Sequence, residues 1–160
     1  MATGGKGWRL NWLGDQVEGD ALKTLAAGWT QVGLAVEGEA KKNLWKGHGV
    51  ITGTLRRSIH IAEPGYNWGG DNVEPSATSP ERGGKPAEPQ KKNGKLSLEV
   101  GTGLEYALYI EVGGDVEEGA LGNNPFMGYL YLRSALAKVK PKIPEILRKF
   151  FEKKFGPAKT

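Results

Sequence analysis

The sequence predicts an α+β fold in which a long N-terminal helix and a C-terminal helix pack on a small, mainly antiparallel sheet. Three observations indicate this. Apolar residues recur at steps of three and four near both ends of the chain, a spacing typical of amphipathic helices. Short segments between them alternate apolar and polar residues, as half-buried strands do. A stretch rich in proline and glycine separates two of these segments and indicates a long loop.

The chain of 160 residues is predicted to form a single domain, residues 1–160, because that length supports one hydrophobic core. Residues 1–18 are predicted to be an N-terminal arm, in which Trp8–Leu13 is either a short strand or part of the arm. Glycine is abundant, with 25 residues where average usage gives roughly 11. Since glycine loses much conformational freedom on folding, contacts outside the monomer would be a natural supplement to the stability of the chain.

The first helix is predicted to run from about Gly19 to Lys46. Asp15 or Asp20 is a candidate cap at its start, and Gly47 closes it. Its apolar residues form one stripe on a helical wheel: Leu22, Leu25, Trp29, Val32, Val36, Ala40 and Leu44. Gly33 falls close to this stripe, which predicts close packing of another element against the helix.

Three segments have the pattern of strands: Arg57–Ala62, Leu96–Gly101 and, as the strongest candidate, Tyr106–Gly113. Between the first two, residues 63–95 contain five prolines and six glycines. Few apolar residues interrupt this stretch, so it cannot bury enough surface to order itself. Residues 63–95 are therefore predicted to be a long loop insertion.

Pro125–Phe126 is predicted to open a second helical region, since proline suits the first turn of a helix. The apolar residues of this region share one face: Leu132, Ala135, Leu136, Val139, Ile143, Ile146, Leu147 and Phe150. Pro141 and Pro144 are predicted to kink or split the helix, because neither has the backbone N–H that a helix interior uses.

The composition excludes several classes of protein. The chain has no cysteine, which excludes disulfides and zinc–thiolate sites. No apolar run approaches the ~18 residues of a membrane span, and the first residues lack the apolar stretch of a signal peptide, so we expect a protein made in the cytosol that does not enter a membrane.

The net charge of +4 is unevenly distributed. Residues 51–129 carry seven Lys and Arg against eleven Asp and Glu, whereas residues 130–160 carry nine against two. A basic segment of this kind is typical of a nucleic-acid contact, but it equally suits the acidic middle of a neighbouring subunit. The sequence leaves both interpretations open.

The sequence contains no nucleophile elbow, phosphate loop or zinc-protease motif. His48 and His60 have no metal partner nearby in sequence, and His60 is interpreted as a structural residue within a strand. No metal and no cofactor are therefore predicted.

Three carboxylates are candidates for acid–base chemistry: Glu99, Glu105 and Glu111. Charges at a solvated strand edge are the favoured interpretation for the first two. Glu111 differs because it lies among apolar neighbours, and a buried carboxylate needs a partner. Arg56 or Arg57 is the natural candidate, which gives a structural ion pair. Enzymatic activity is therefore not expected.

Three motifs occur together in chain order. They are Thr52-Gly53-Thr54-Leu55-Arg56-Arg57-Ser58-Ile59, then Val100-Gly101-Thr102 followed by Tyr106-Ala107-Leu108-Tyr109-Ile110-Glu111-Val112-Gly113, and then Pro125-Phe126 leading to Tyr131-Leu132-Arg133-Ser134-Ala135-Leu136. In this combination the sequence resembles the tail-component family typified by the tenth gene product of the lambdoid coliphage HK. Members of that family are called tail completion or head–tail joining proteins. The resemblance covers about residues 20–150.

The resemblance implies a structural virion protein, assembled in the host cytoplasm, that completes the tail of a long-tailed phage at the head–tail interface. Its expected partners are copies of itself in a ring, commonly six-fold, and the neighbouring neck and tail proteins. The motif residues are Thr52, Gly53, Leu55, Arg56, Ser58, Tyr106, Ala107, Glu111, Gly113, Pro125, Phe126, Leu132 and Ala135. The candidates to face a neighbouring subunit or DNA in the channel are Arg133, Lys138, Lys142, Lys149 and Lys153.

Other functions are weighed beside this one. A tail terminator or a stopper (connector) protein would occupy the same junction. A free nucleic-acid-binding protein would use the basic residues of 133–159, and replacing those lysines by glutamine would abolish its DNA binding. A hydrolase would depend on the three carboxylates named above, and their glutamine variants would be inactive.

Overall fold

The computed structural model describes residues 14–46, 49–50, 53–68, 87–92, 94–114 and 126–157. It confirms the α+β class. The helices are α1 (Gly14–Asn43), α2 (Thr54–Ser58), α3 (Ala107–Val112), α4 (Tyr131–Val139) and α5 (Ile143–Phe155), with a 3₁₀ turn at Lys140–Lys142. The strands are β1 (Trp45–Lys46), β2 (Gly49–Val50), β3 (His60–Ala62), β4 (Gln90–Lys92), β5 (Lys95–Ser97), β6 (Glu99–Gly101), β7 (Gly113–Gly114) and β8 (Phe126–Met127). The segment Trp8–Leu13 lies outside the described residues.

Helix α1 is the spine of the protein. Its 30 residues span about 45 Å, and α4 and α5 pack along it. Its predicted stripe supplies much of the core through four buried residues, Val32, Val36, Ala40 and Leu44. None of the helices in the described part of the chain is long and apolar enough to cross a bilayer.

The ends of α1 differ from the prediction. The helix begins at Gly14 and ends at Asn43, so Asp15 and Asp20 lie inside it and cannot cap its start. The C-terminal end is fixed by a tertiary contact instead. The buried Asn43 amide donates to the Tyr131 carbonyl at 3.0 Å and to Ser134 Oγ at 3.2 Å, which joins this end of α1 to α4.

Two glycines let other elements approach α1 closely. A Cβ on Gly33 would lie 2.2 Å from Leu98 Cδ2 and 2.8 Å from Ile61 Cγ2, so the close packing predicted at this position is confirmed. A Cβ on Gly28 would lie 2.9 Å from Leu147 Cδ2, which places α5 against the helix. These contacts explain why α1 tolerates residues that lower helix propensity.

The strands form two-stranded pairs within the described residues. In the central pair β3 runs antiparallel to β6, with His60 opposite Gly101 and Ala62 opposite Glu99. Strands β4 and β5 form a hairpin, and β7 pairs with β8. These three pairs are antiparallel, as predicted, whereas β1 and β2 pair in parallel. Helix α1 packs against the central pair.

One predicted strand and the predicted loop differ from the structure in detail. The segment Arg57–Ala62 divides into the end of α2 and the three-residue β3, whose residues are all buried rather than alternating. The predicted loop also contains structure at its end, because β4 lies within residues 63–95 and pairs with β5. Residues 69–86 of that loop lie outside the described residues.

The prediction of a strand at Tyr106–Gly113 is wrong, because Ala107–Val112 is helix α3. The two buried residues of the segment are Ala107 and Glu111, four apart, which is a helical spacing. A six-residue segment with five apolar or aromatic residues fits either a strand or a helix, and here tertiary contacts decide.

The C-terminal region begins later than predicted. Phe126–Met127 forms strand β8, and the helix begins at Tyr131, so Phe126 does not open it. Pro125 lies outside the described residues. The predicted split is confirmed: Pro141 lies in the 3₁₀ turn that separates α4 from α5, and Pro144 is in the first turn of α5.

Candidate functional site

The motif residues meet around a buried carboxylate, Glu111, which is 7% exposed. One carboxylate oxygen accepts the backbone N–H of Leu132 at 2.9 Å, and the other accepts that of Arg133 at 3.0 Å. These amides begin α4 and have no partner within the helix, so Glu111 acts as the N-terminal cap of a helix that starts 20 residues later. The negative charge also complements the positive end of the α4 dipole.

The prediction that Glu111 pairs with Arg56 or Arg57 is wrong. The hydrogen bonds of this carboxylate go to backbone amides of α4 rather than to Arg56 or Arg57, and the nearest guanidinium is that of Arg133, with Nε 4.0 Å from Oε1. Arg56 and Arg57 are exposed on α2. A cap that comes from a distant part of the chain leaves no local signal in the sequence, which explains the error.

The segment between β8 and α4 lies directly on α3. The Tyr129 N–H donates to the Ile110 carbonyl and the Leu130 N–H donates to the Glu111 carbonyl, both at 2.9 Å. The two backbones approach closely at Gly128. A Cβ there would lie 2.3 Å from the Gly113 backbone nitrogen and 2.4 Å from the Glu111 backbone carbonyl oxygen. Only glycine fits at this position.

The first motif forms the second half of this arrangement. Gly53 precedes α2 with φ +79, a conformation that favours glycine. Ser58 is fully buried; its Oγ donates to the Leu55 carbonyl at 2.8 Å and lies 2.6 Å from Thr102 Oγ1. The hydroxyl therefore satisfies the Leu55 carbonyl and connects the first motif to the second.

Within the described part of the chain, six of the thirteen motif residues are buried or pack against the core: Leu55, Ser58, Ala107, Glu111, Leu132 and Ala135. Leu55, Ala107 and Ala135 are buried in one cluster, and Leu132 packs against it. Tyr106 and Arg56 are exposed. Thr52 lies outside the described residues. The buried motif residues thus fix the fold and offer little surface to a partner.

Tyr131 is a central residue that the sequence analysis did not single out. Among the described residues it is the largest fully buried side chain. Tyr131, Ala135 and Val139 are buried at intervals of four residues, and this helical spacing could have indicated that Tyr131 belongs to the core. Burial, the nearby Glu111 charge and Tyr106 together raise the pKa of the Tyr131 phenol well above its ordinary value. The neutral phenol is therefore the form that the folded protein accommodates.

Replacing Tyr131 by phenylalanine is expected to reduce the loss of stability at alkaline pH. Because the folded-state pKa is raised, the contribution of this group is fully present below the unfolded pKa of about 10 and is lost as the pH rises above it. At pH 11 the difference should be about 1 kcal/mol. Urea unfolding at pH 8 and 11 measures it, with Tyr109→Phe, which removes an exposed phenol, as the control. An equal alkaline loss in wild type and Tyr131→Phe would contradict the assignment.

Glu99, which the sequence offered as a candidate for acid–base chemistry, and His60, which it interpreted as structural, both contact other parts of the fold. Glu99 accepts the Gly65 N–H at 2.9 Å and the Trp68 Nε1–H at 2.8 Å, which anchors the first part of the predicted loop to β6. His60 is buried, and its Nδ1 lies 2.8 Å from the Ser58 carbonyl while its ring packs on Trp68. The described residues contain no group of three or more potential metal ligands. His48 lies outside them.

An apolar surface is exposed where α3 meets β8. Tyr109 and Val112 are each 43% exposed on adjacent turns of α3, and Met127, opposite Gly113 in the β7–β8 pair, is 85% exposed. We call Tyr109, Val112 and Met127 the apolar knob. Clusters of exposed apolar side chains of this kind mark interaction sites in soluble proteins.

A second apolar surface is concave. A groove of about 540 Å³ lies between α1, the β5–β6 segment and α4, and Trp29, Val36, Leu98, Leu136 and Ile143 are among its lining residues. We call it the apolar groove. Its volume is in the range of binding cavities, about 300–1,000 Å³. Two cationic residues, Arg133 and Lys140, also line it.

The basic candidates lie on α4, the 3₁₀ turn and α5, and all are exposed: Arg133, Lys138, Lys142, Lys149 and Lys153. Some already have acidic partners. Lys149 Nζ lies 2.9 Å from Glu145, and its hydrogen bond and charge lower the pKa of that carboxyl. Lys138 Nζ lies 3.9 Å from a carboxylate oxygen of Glu39 and donates to Asn43 Oδ1 at 3.0 Å. The face is therefore basic but partly neutralised.

Comparison with protein families matches residues 8–113 to the family described as "Bacteriophage HK97-gp10, putative tail-component". The match covers about two thirds of the chain and includes the first two of the three motifs. Comparisons with curated proteins and with solved structures find no match. With α1, the Ser58–Thr102 contact and the α3 carboxylate all inside the matched range, the chain belongs to the HK97-gp10-like family of phage tail components.

Proposed function

We propose that this protein is a ring-forming subunit that completes the tail of a long-tailed phage where the tail joins the head. Membership of the tail-component family is the observation that carries the proposal. The expected location is the neck or tail of the virion, after assembly in the host cytoplasm. The partners are further copies of the chain, in a ring of six, and the adjacent neck and tail proteins.

The exposed surfaces support an assembly role. The apolar knob and the apolar groove are different in shape and share no residue. A closed ring is built from heterologous contacts, in which one patch meets a different patch on the next copy. A subunit with two unlike apolar surfaces has what such a contact needs.

The proposal assigns no reaction to the protein. The candidate carboxylates Glu99 and Glu111 are engaged in hydrogen bonds that fix β6 and α4, and Glu105 is an exposed residue before α3. The buried polar groups of the motifs therefore serve the fold.

The proposal is tested by deleting the gene from the phage that encodes it. We expect DNA-filled heads and separate tails of normal length in electron micrographs of infected-cell lysates, and restoration of joined particles by the wild-type gene supplied from a plasmid. Tails of irregular length would instead identify a terminator, and heads that lose their DNA would identify a stopper. Joined, infectious particles without the gene would overturn all three roles.

Contact with DNA in the channel is a second candidate role, favoured by the exposed cations of α4 and α5. Binding should be independent of sequence and should weaken steeply with salt, since phosphate contacts release counterions. The variant Lys138→Gln, Lys142→Gln, Lys149→Gln, Lys153→Gln should lose the binding that fluorescence anisotropy measures on duplex DNA. Equal affinity of wild type and variant would remove the candidate.

A further inference from the structure

The apolar knob and the apolar groove also differ in charge. In the described residues around the knob, 104–114 and 126–130, the charged side chains are Glu105 and the buried Glu111, and there is no cation. Glu105 is exposed and lies four residues before Tyr109 in the sequence, in the turn that precedes α3. The knob therefore combines apolar side chains with an accessible carboxylate.

The groove has the opposite charge. Arg133 and Lys140 are its charged lining residues, and both side chains are exposed. Arg133 has only a long contact to Glu111, at 4.0 Å, and Lys140 forms no ion pair within the described part of the chain. An apolar floor with a cationic edge suits an apolar insert that carries a carboxylate.

We propose that the knob of one copy inserts into the groove of the next, with Tyr109, Val112 and Met127 on the apolar floor and Glu105 facing Arg133 and Lys140. This inference rests on the proposed ring and names the surfaces that close it. A contact between unlike patches leaves a free knob at one end and a free groove at the other, so copies add head to tail until the ring closes. The occupant of the groove is thus a second copy of this chain.

Cross-linking tests the contact directly, because the chain has no cysteine and an introduced thiol reports only on its own position. The two variants are Met127→Cys on the knob and Leu136→Cys in the groove; both positions are exposed, at 85% and 53%, so folding should be unaffected. Each is produced alone, both are produced together as separate chains, and both are combined in one chain. Phage particles are purified and treated with a short bis-maleimide.

We expect no cross-linked product from either single variant, dimers from the two variants together, and a ladder of multimers from the double variant. Lys153→Cys combined with Met127→Cys is the matched control, since Lys153 is exposed near the end of α5 and lines no part of the groove; it should give no dimer. Self-cross-linking of Met127→Cys would show an isologous contact and overturn the inference.

The outcomes separate this inference from the proposed function. Rings of unchanged size without Met127–Leu136 cross-links would overturn the inference and leave the ring intact. Absence of any ring in wild-type particles would overturn the proposed function and the inference with it. Charge reversal gives a second measurement: Glu105→Lys should lower ring association about tenfold, and Lys140→Glu should restore it in the same chain. Failure of restoration with both proteins folded would count against the charge pairing.

Discussion

Gly128→Ala is expected to lower the free energy of unfolding by at least about 3 kcal/mol. The new Cβ would lie 2.3 Å from the Gly113 nitrogen, 2.4 Å from the Glu111 oxygen and 2.4 Å from the Val112 carbonyl carbon. All three are backbone atoms, so no side chain can rotate away. Relief requires that the segment before α4 move off α3, which breaks the hydrogen bonds of Tyr129 and Leu130.

Thermal unfolding measures the effect, and a domain of this size should lose about 10 °C in Tm. Gly38→Ala is the matched control with the opposite sign. Its Cβ meets nothing within 4 Å inside α1, so the gain in helix propensity should stabilise the protein by about 1 kcal/mol. A Gly128→Ala protein with wild-type stability would show that α3 and β8 are not in the contact described.

Glu111→Ala is expected to lower the free energy of unfolding by about 3 kcal/mol. The change leaves the amides of Leu132 and Arg133 without an acceptor and creates space at a position that is 7% exposed. Glu111→Gln should lower the free energy of unfolding by less, about 2 kcal/mol. Its amide oxygen still accepts one N–H, but the negative charge that complements the positive end of the α4 dipole is gone.

Urea unfolding of these variants is compared with Glu105→Ala, which removes an exposed carboxylate six residues away and should change stability by less than about 0.5 kcal/mol. Equal stability of Glu111→Ala and Glu105→Ala would contradict the capping role. Restoration of Glu111→Ala by Arg57→Ala would instead revive the ion pair first expected from the sequence.

Long or locally determined features could be predicted from the sequence. The periodic stripe of α1 extends over many turns, so its existence does not depend on any single contact, although its ends were misplaced by several residues. Pro141 splits the C-terminal helix because its ring and missing N–H act on the chain next to it. Gly53 adopts positive φ for a similarly local reason.

Features fixed by distant contacts could not be predicted. The segment Ala107–Val112 has aromatic and apolar residues that suit a strand. It is a helix in the structure, where Glu111 accepts hydrogen bonds from amides of α4, a contact between distant parts of the chain. The start of α4 follows from the same bond and from Leu130, a non-glycine residue at φ +49. No pattern in either segment alone contains that information.

The same distinction between local and distant contacts applies to the apolar knob and the apolar groove. Charge counts indicated a basic C-terminal segment and an acidic middle; in the structure Arg133 and Lys140 line the groove, and the exposed Glu105 immediately precedes the segment that carries Tyr109 and Val112. The sequence did not indicate that Met127 is exposed, because an isolated methionine can lie in a core or on a surface. In the structure Met127 lies in the β7–β8 pair and is 85% exposed.

The double role of α3 has a mechanical consequence. One side of this six-residue helix carries Tyr109 and Val112, while the other carries the carboxylate that begins α4. Because Glu111 ties α3 to α4, the orientation of the helix that carries these exposed side chains is fixed within the subunit. In the ring proposed above, the orientation of α3 would help to set the angle between adjacent copies, and a buried carboxylate would thereby influence the diameter of the ring.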